Sequence, residues 1–465
     1  MGNISEQQFK KNFFYSADSE HYQDAVLTYI FYNYPEAGKQ DKDLSEIERF
    51  SIFFTKQLLN KKGINITGID VETQKYDSDI DLIIHTTDGK DHLVIIEDKT
   101  GSAIHPSVKK QKNSKDKNSE TLYYNTQLEK YFDKYIHDKD FEDFFKEGRI
   151  HLFYYKNEYV NDSEKKTLKK ASEGCKEILC APFVDQIEEI KKEIYKLKND
   201  GKSHNASTFE KRENAIKELE LKNIEFASNF DRFGTSIVEW VIRDIDWIYD
   251  TFNEFYKGNK AENIILRDYF ESIDFWKKEI DIILNNNYTI ERVSGTDLKW
   301  GDRSKLWNPV FCQMIDAALK QIKDDSYETQ VATYAGRYWE MAIHSKDKKT
   351  CVLANTKGIT NESFSIGINL RNAKYNGKEN VPARWNEIEG EREKEGNRII
   401  DLVNKNRIKD ADLTLGSRMK KGDQDNNKIC SYEFKFKPGE KADYGTLFDK
   451  WMQVVEFFVN NIDGK

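Results

Sequence analysis

The chain has 465 residues, of which 38% are hydrophobic, 33% charged and 13% aromatic, so it exceeds one ordinary core and excludes wholesale disorder. A net charge of −8 gives no support to a globally basic nucleic-acid binder, although a local basic surface would serve that role. Five scattered cysteines without a CxxC pair exclude a disulfide framework, no apolar run reaches the ~18–20 residues of a membrane span, and the polar start lacks an apolar leader, so a cytoplasmic protein away from membranes is expected.

Glu20 to Tyr34 spaces Ala25, Val26, Tyr29, Ile30 and Tyr34 as one helical face. A second helix is predicted from about Leu44 to Asn60, with Asp43 or Ser45 as N-cap and Gly63 past its end. The period then changes to that of strands, at Ile66 to Tyr76, Ile80 to Thr87 and His92 to Thr100. Asp88-Gly89 between the last two is a hairpin signal. A lysine-rich stretch, 107–120, precedes a helix from about Thr121 to Asp138 and an aromatic strand from Arg149 to Lys156. This order predicts a small mixed sheet flanked by helices, an α/β core over residues 1–160.

Residues 161–299 read as a charged helical hairpin, broken at Gly201-Lys-Ser-His-Asn205, followed by a helical segment from Ile224 to about Asn286. Trp240, Trp247 and Trp276 are its candidate core residues. Residues 300–465 turn to short alternating strands at Tyr338–His344, Cys351–Ala354, Phe364–Leu370 and Ile429–Phe436, closed by a helix over Tyr444–Ile462. They are read as a C-terminal α+β domain.

The chemistry concentrates in Asp77-Ser-Asp-Ile-Asp81-Leu-Ile-Ile and Leu93-Val-Ile-Ile-Glu97-Asp-Lys99. An acid opens one apolar strand and an acid-x-lysine closes the next. Residues two apart share a strand face, so Glu97 and Lys99 point the same way. If Gly89 centres a three-residue turn, Asp81 stands opposite Glu97, where two carboxylates about 4.5–5.5 Å apart at Cβ call for a cation between them. Hard carboxylate oxygens suit Mg²⁺ or Mn²⁺. Asp79 shares the face of Asp81 and is the alternative acid; Asp81 is preferred because it abuts Leu82-Ile83-Ile84.

These residues resemble the PD-(D/E)XK nuclease superfamily. Asp81 matches its first acid, although Ile80 stands where the pattern has proline, and Glu97-Asp98-Lys99 matches its second element. Gln127-Leu-Glu-Lys-Tyr131 looks like the QxxxY helix motif of the RecB-like branch, and Glu20 matches an acid on that branch's first helix. The resemblance, over about residues 10 to 157, implies a restriction-endonuclease-like sheet and hydrolysis of DNA phosphodiesters. It further implies a metal held by Asp81, Glu97, the main-chain carbonyl of Asp98 and Glu20, with Lys99 positioning the attacking water and Gln127 and Tyr131 orienting groups around it. Free-standing members look like bacterial defence or restriction effectors, in which the C-terminal domain would recognise substrate, assemble a homo-oligomer or receive an activating partner.

Each piece has a plainer alternative: a strand-end ion pair for Glu97 and Lys99, helix packing for Gln127 and Tyr131, a helix N-terminal acid for Glu20. Lys109, Lys110 and Lys112, with Lys115 and Lys117, offer phosphate contacts or form a solvated loop. An RNase, or a non-enzymatic nucleic-acid or protein-binding module on a nuclease fold, stays as a competing function. A second ExK, Tyr432-Glu433-Phe-Lys435 with Asp412 upstream, alternates apolar with polar residues and is read as a wet strand face instead. No P-loop, GxGxxG fingerprint or HExxH helix occurs.

Overall fold

The computed structural model describes residues 20–59, 65–73, 80–99, 107–108, 123–124, 126–146, 149–199, 206–231, 239–285, 288, 300–323, 327–334, 338–345, 350–360, 362–370, 385–415, 428–437 and 443–463. The fold is mixed α/β, with two large sheets.

The chain opens with α1 (Glu20–Tyr32) and α2 (Glu46–Leu59). Both are amphipathic: Val26, Leu27, Ile30 and Phe31 are buried on α1, and Ile47, Phe50, Phe54 and Leu58 on α2. Ser45 caps α2 in a reciprocal box, its amide donating to Glu48 Oε2 at 2.8 Å and its hydroxyl accepting from the Glu48 amide at 3.4 Å. Three antiparallel strands follow, β1 (Ile66–Thr73), β2 (Ile80–Thr86) and β3 (His92–Lys99). A short pair, β4 (Ser107–Val108) and β5 (Tyr123–Tyr124), leads to α3 (Gln127–Ile136), α4 (Glu142–Lys146) and β6 (Ile150–Lys156). Thr126 caps α3 and so places Gln127 in its first turn.

From β6 a long helical hairpin, α5 (Asp162–Asn199) and α6 (Ala206–Asp231), returns the chain to β7 (Trp240–Arg243). β7 lies parallel to β6, which lies parallel to β3, so the first sheet runs β1-β2-β3-β6-β7 with β3 in the middle. Here the reading of 224–286 as continuous helix fails. Trp240-Val-Ile-Arg243 is too short for a period to betray it, and it becomes a strand because β6 offers a free edge. Helices α7 (Ile245–Tyr256) and α8 (Ile264–Leu284) follow. Trp240 and Trp276 are buried, and Trp247 packs against the core half-buried.

The second sheet, entirely antiparallel, runs β12-β13-β11-β10-β9-β8. Its strands are β8 (Glu328–Tyr334), β9 (Tyr338–His344), β10 (Thr350–Ile359), β11 (Ser363–Leu370), β12 (Asp412–Leu415) and β13 (Lys428–Lys435). α9 (Trp300–Ile322) packs on β8 and β9, α10 (Trp385–Lys405) on β13, and α11 (Tyr444–Phe457) on β11. Among the described residues no helix is long and apolar enough to cross a membrane.

The central strands of the first sheet, β3 and β6, are buried on both faces. On one, Leu93, Ile95, Leu152 and Tyr154 pack with Leu128, Phe132 and Tyr135 of α3 and Leu168 and Cys175 of α5. On the other, Val94, Ile96, Phe153 and Tyr155 pack with α1, α2, α7 and α8. That second cluster continues without a break through Trp307 and Val310 of α9 to Ile343 of β9 and Trp451 of α11.

Candidate active site

β3 is apolar on both sides until its last residues, and the alternation that sorts its apolar side chains also sorts its acids. Glu97 follows Leu93 and Ile95 toward α3, whereas Asp98 follows Val94 and Ile96 toward α1. Both are fully buried. Each meets a side-chain amide from its own helix layer: Gln127 Nε2 donates to Glu97 Oε1, and Gln23 Nε2 donates to Asp98 Oδ1. Burying a carboxylate is costly unless it is hydrogen-bonded or paired, so these glutamines are part of what lets the acids sit at the strand end.

Asp81 is 3% exposed and lies on the Glu97 face, but not directly opposite Glu97. The ladder pairs Asp81 with Ile95 and Ile84 with His92, two residues away from the expected register. The turn explains the difference. Gly89 does not centre the loop; it ends it, at φ +70°, the left-handed position that closes a three-residue hairpin. Asp88 is the centre, accepting from the Thr86 hydroxyl at 2.5 Å and the Lys90 amide at 3.3 Å while Thr86 Oγ1 also reaches the Lys90 carbonyl at 2.9 Å. A shift of two preserves the face, so Asp81 and Glu97 become diagonal neighbours, a relation that typically sets residues roughly 7–8 Å apart along the ladder.

Beyond the foreseen residues stands a cluster on β6 and α5. Glu97 pairs in register with Tyr154, and Lys99 with Lys156. Lys156 is fully buried, its Nζ 2.5 Å from Glu164 Oε1, which also accepts from the Tyr154 hydroxyl at 3.3 Å. Burial first, then the charges of Glu164, Glu97 and Glu158, pushes the Tyr154 phenol far above its ordinary range, so it stays a neutral donor. Glu164 is held by Asn161, the two forming a reciprocal capping box at the start of α5. Asn161-x-x-Glu164 is legible in the sequence as such a box; that it ends beside the acids is not.

Lys99 and Glu20 are placed by their backbones, Lys99 at the end of β3 and Glu20 at the start of α1, while their side chains lie outside the described part. α1 packs on the Asp98 face, so the residue it brings to the acids is Gln23, one turn on from Glu20. Tyr131 is buried with Leu128, Phe132 and Tyr135 between α3 and the sheet. Lys109, Lys110, Lys112, Lys115, Lys117 and Asp79 lie outside the described residues.

Among the described residues, no three His, Cys, Asp or Glu side chains are gathered as a metal-binding group. The donor set still fits one particular class of ion. Mg²⁺ binds through one or two carboxylates and keeps several waters, and the site offers two same-face acids whose oxygens are hard donors.

No protein-family model, curated protein or solved structure matches this chain.

Proposed function

We propose that the protein is a Mg²⁺-dependent nuclease of the PD-(D/E)XK type that hydrolyses DNA. The observation that carries this reading is the hydrogen bond from Gln127 to Glu97. Thirty residues apart, the two belong to separate motifs of the resemblance, and one side chain holds the other. The mixed sheet with acids on β2 and β3, and helices on both faces, supports the same reading, including a restriction-endonuclease-like arrangement.

In this reading Asp81 and Glu97 hold the ion, with the Asp98 carbonyl and Glu20 completing its shell. Bound there, the ion would polarise the scissile phosphate and make the attacking water more acidic. Gln127 fixes one Glu97 oxygen, and Lys99 would orient the water and offset charge that builds on the phosphoryl oxygens. Gln23, by holding the Asp98 side chain on the opposite face, fixes the peptide between Glu97 and Lys99. Tyr131 braces α3 against the sheet. Lys109, Lys110 and Lys112 would contact phosphates. A defence or restriction role, and assembly or activation through the second sheet, rest on the resemblance alone.

The test is cleavage of supercoiled plasmid by the wild type in Mg²⁺, by the wild type in EDTA, and by Lys99→Ala in Mg²⁺. Cleavage confined to the first sample is expected. Equal loss of DNA in all three would mark a contaminant, and intact plasmid throughout would sink the reading. Single-stranded RNA offered beside duplex DNA separates a deoxyribonuclease from an RNase.

A further inference from the structure

A buried polar chain crosses the apolar interior from the second sheet's helix to the acid site. Asn308 on α9 is fully buried, and both ends of its amide are used. Its Nδ2 donates to the Tyr159 carbonyl at 2.8 Å, and its Oδ1 accepts from Asn161 Nδ2 at 2.8 Å. Asn161 in turn accepts from the Glu164 amide at 2.8 Å and donates its own amide to Glu164 Oε2 at 3.1 Å. Glu164 then holds Lys156 and Tyr154, the ladder partners of Lys99 and Glu97. Every side chain in this path is buried, from Asn308 to Lys156.

We propose that Asn308 is a positioning residue of the acid site, through which α9 and the sheet it packs on set the competence of the nuclease centre; this rests on the nuclease reading above. The physical reason is that a buried polar chain has no water to fall back on. If α9 moves, either Tyr159 and Asn161 move with it or amides are left unpaired in the interior, and the latter is the costly choice. The adjacent apolar contacts of α9 are non-directional, so they fix the spacing of the layers but not the orientation of a particular group.

Three variants test this: Asn308→Ala, Glu164→Gln, and Val310→Ala as a control that opens a gap in the same buried stretch of α9 without touching the chain. Asn308→Ala should lower kcat for duplex DNA on the order of tenfold with KM unchanged, whereas Val310→Ala should lose comparable thermal stability and keep kcat. Combining Asn308→Ala with Glu164→Gln should cost no more than Glu164→Gln alone, because both break one path. Hydrogen exchange gives an activity-free reading: the segment 154–164 should lose protection in Asn308→Ala and not in Val310→Ala. Equal kcat losses in Asn308→Ala and Val310→Ala, additive losses when Asn308→Ala is combined with Glu164→Gln, or unchanged protection of 154–164 in Asn308→Ala each overturn the proposal. If the wild type cuts no DNA, the nuclease reading and the positioning role fall together. Should Asn308→Ala not fold, Asn308→Asp, which keeps the acceptor for Asn161 but loses the donor to Tyr159, carries the same comparison.

Discussion

The two sheets carry the same short pattern and do different things with it. β3 ends in Glu97-Asp98-Lys99 beside Asp81 on β2, and β13 ends in Glu433-Phe434-Lys435 beside Asp412 on β12. In the second sheet the ladder sets Asp412 directly opposite Glu433, and Lys435 Nζ lies 2.7 Å from Asp412 Oδ2. By distance alone this looks the better site. Yet the Lys435 and Asp412 side chains are 69% and 65% exposed, whereas Glu97 is fully buried. β13 has only β12, a strand whose side chains are largely exposed, between it and the sheet edge. β3 is the middle strand of five and both its faces are covered by helices. An acid in water binds a passing cation weakly because water competes for both. An acid held dry by an amide has lost that alternative, and it is the helices around β3 that supply the amides.

The sharpest way to break this comparison is to remove the matching acid from each sheet. Glu97→Ala should reduce Mg²⁺-dependent plasmid cleavage by on the order of 10³-fold, and Glu433→Ala should leave it unchanged. Equal losses, or a larger loss at Glu433, would move the centre to the second sheet. Gln127→Ala belongs to the same series with a smaller expected effect, about tenfold, as the typical loss of one supporting hydrogen bond to a charged group. Its folding should be intact by circular dichroism.

The lysines extend the contrast from catalysis to stability. Lys156→Met strands Glu164 in the interior, and breaking a buried pair from one side typically costs about 3–5 kcal/mol. Urea unfolding should show most of that loss. Lys435→Met removes a pair already solvated, and the unfolding midpoint should not move. A Lys156→Met protein as stable as the wild type would mean that Glu164 is not held by charge, and would weaken the path from Asn308 as well.

How much of this was legible beforehand follows from the range of each interaction. The apolar run of β3 and the helical face of α2 are periodic, and periodicity is a local property. The Asp88-Gly89 turn was legible as a turn, but its centre depended on which residue takes positive φ, and an error of that kind displaces every cross-strand pair by two while sparing the face. This is why Asp81 keeps the Glu97 face while its ladder partner is Ile95 rather than Glu97. Lys156 and Glu164 were hidden for another reason. A strand-end lysine and a capping box are both common, and only the parallel register of β6 against β3 brings them to Glu97 and Lys99. β7 stayed invisible because four residues carry too little pattern against the helices on either side. The alternation of β13 holds only in part: Cys430, Tyr432 and Phe434 are buried and Lys435 is exposed, but Ser431 is buried as well and Glu433 is half-buried, because β11 and β12 flank the strand on both sides.

The smallest effect concerns pH, and it again separates the sheets. His85 on β2 places Nε2 3.0 Å from Asp70 Oδ2 on β1 and Nδ1 3.0 Å from Asp91 Oδ2 at the entry to β3, so one ring ties three strands. A carboxylate on each nitrogen requires both nitrogens to donate, which only the imidazolium can do. Burial pulls its pKa down, but the hydrogen bonds to Asp70 and Asp91 outweigh that and raise it above its ordinary 6.5. A group whose pKa rises on folding stabilises the fold fully below the unfolded value and loses that contribution as pH climbs through the folded one. The difference in Tm between wild type and His85→Gln should therefore be largest at or below pH 6.5 and shrink at more alkaline pH. Because all three groups are partly solvated, its size should stay below about 1 kcal/mol. In the second sheet, Lys435 is raised from 10.5 by its hydrogen bond to Asp412, so its ammonium does not titrate in the window where His85 does, and Lys435→Met should show no such trend. A His85→Gln difference that is flat with pH would mean the ring is neutral in the fold, and one of the two carboxylates would then have to be turned away from it.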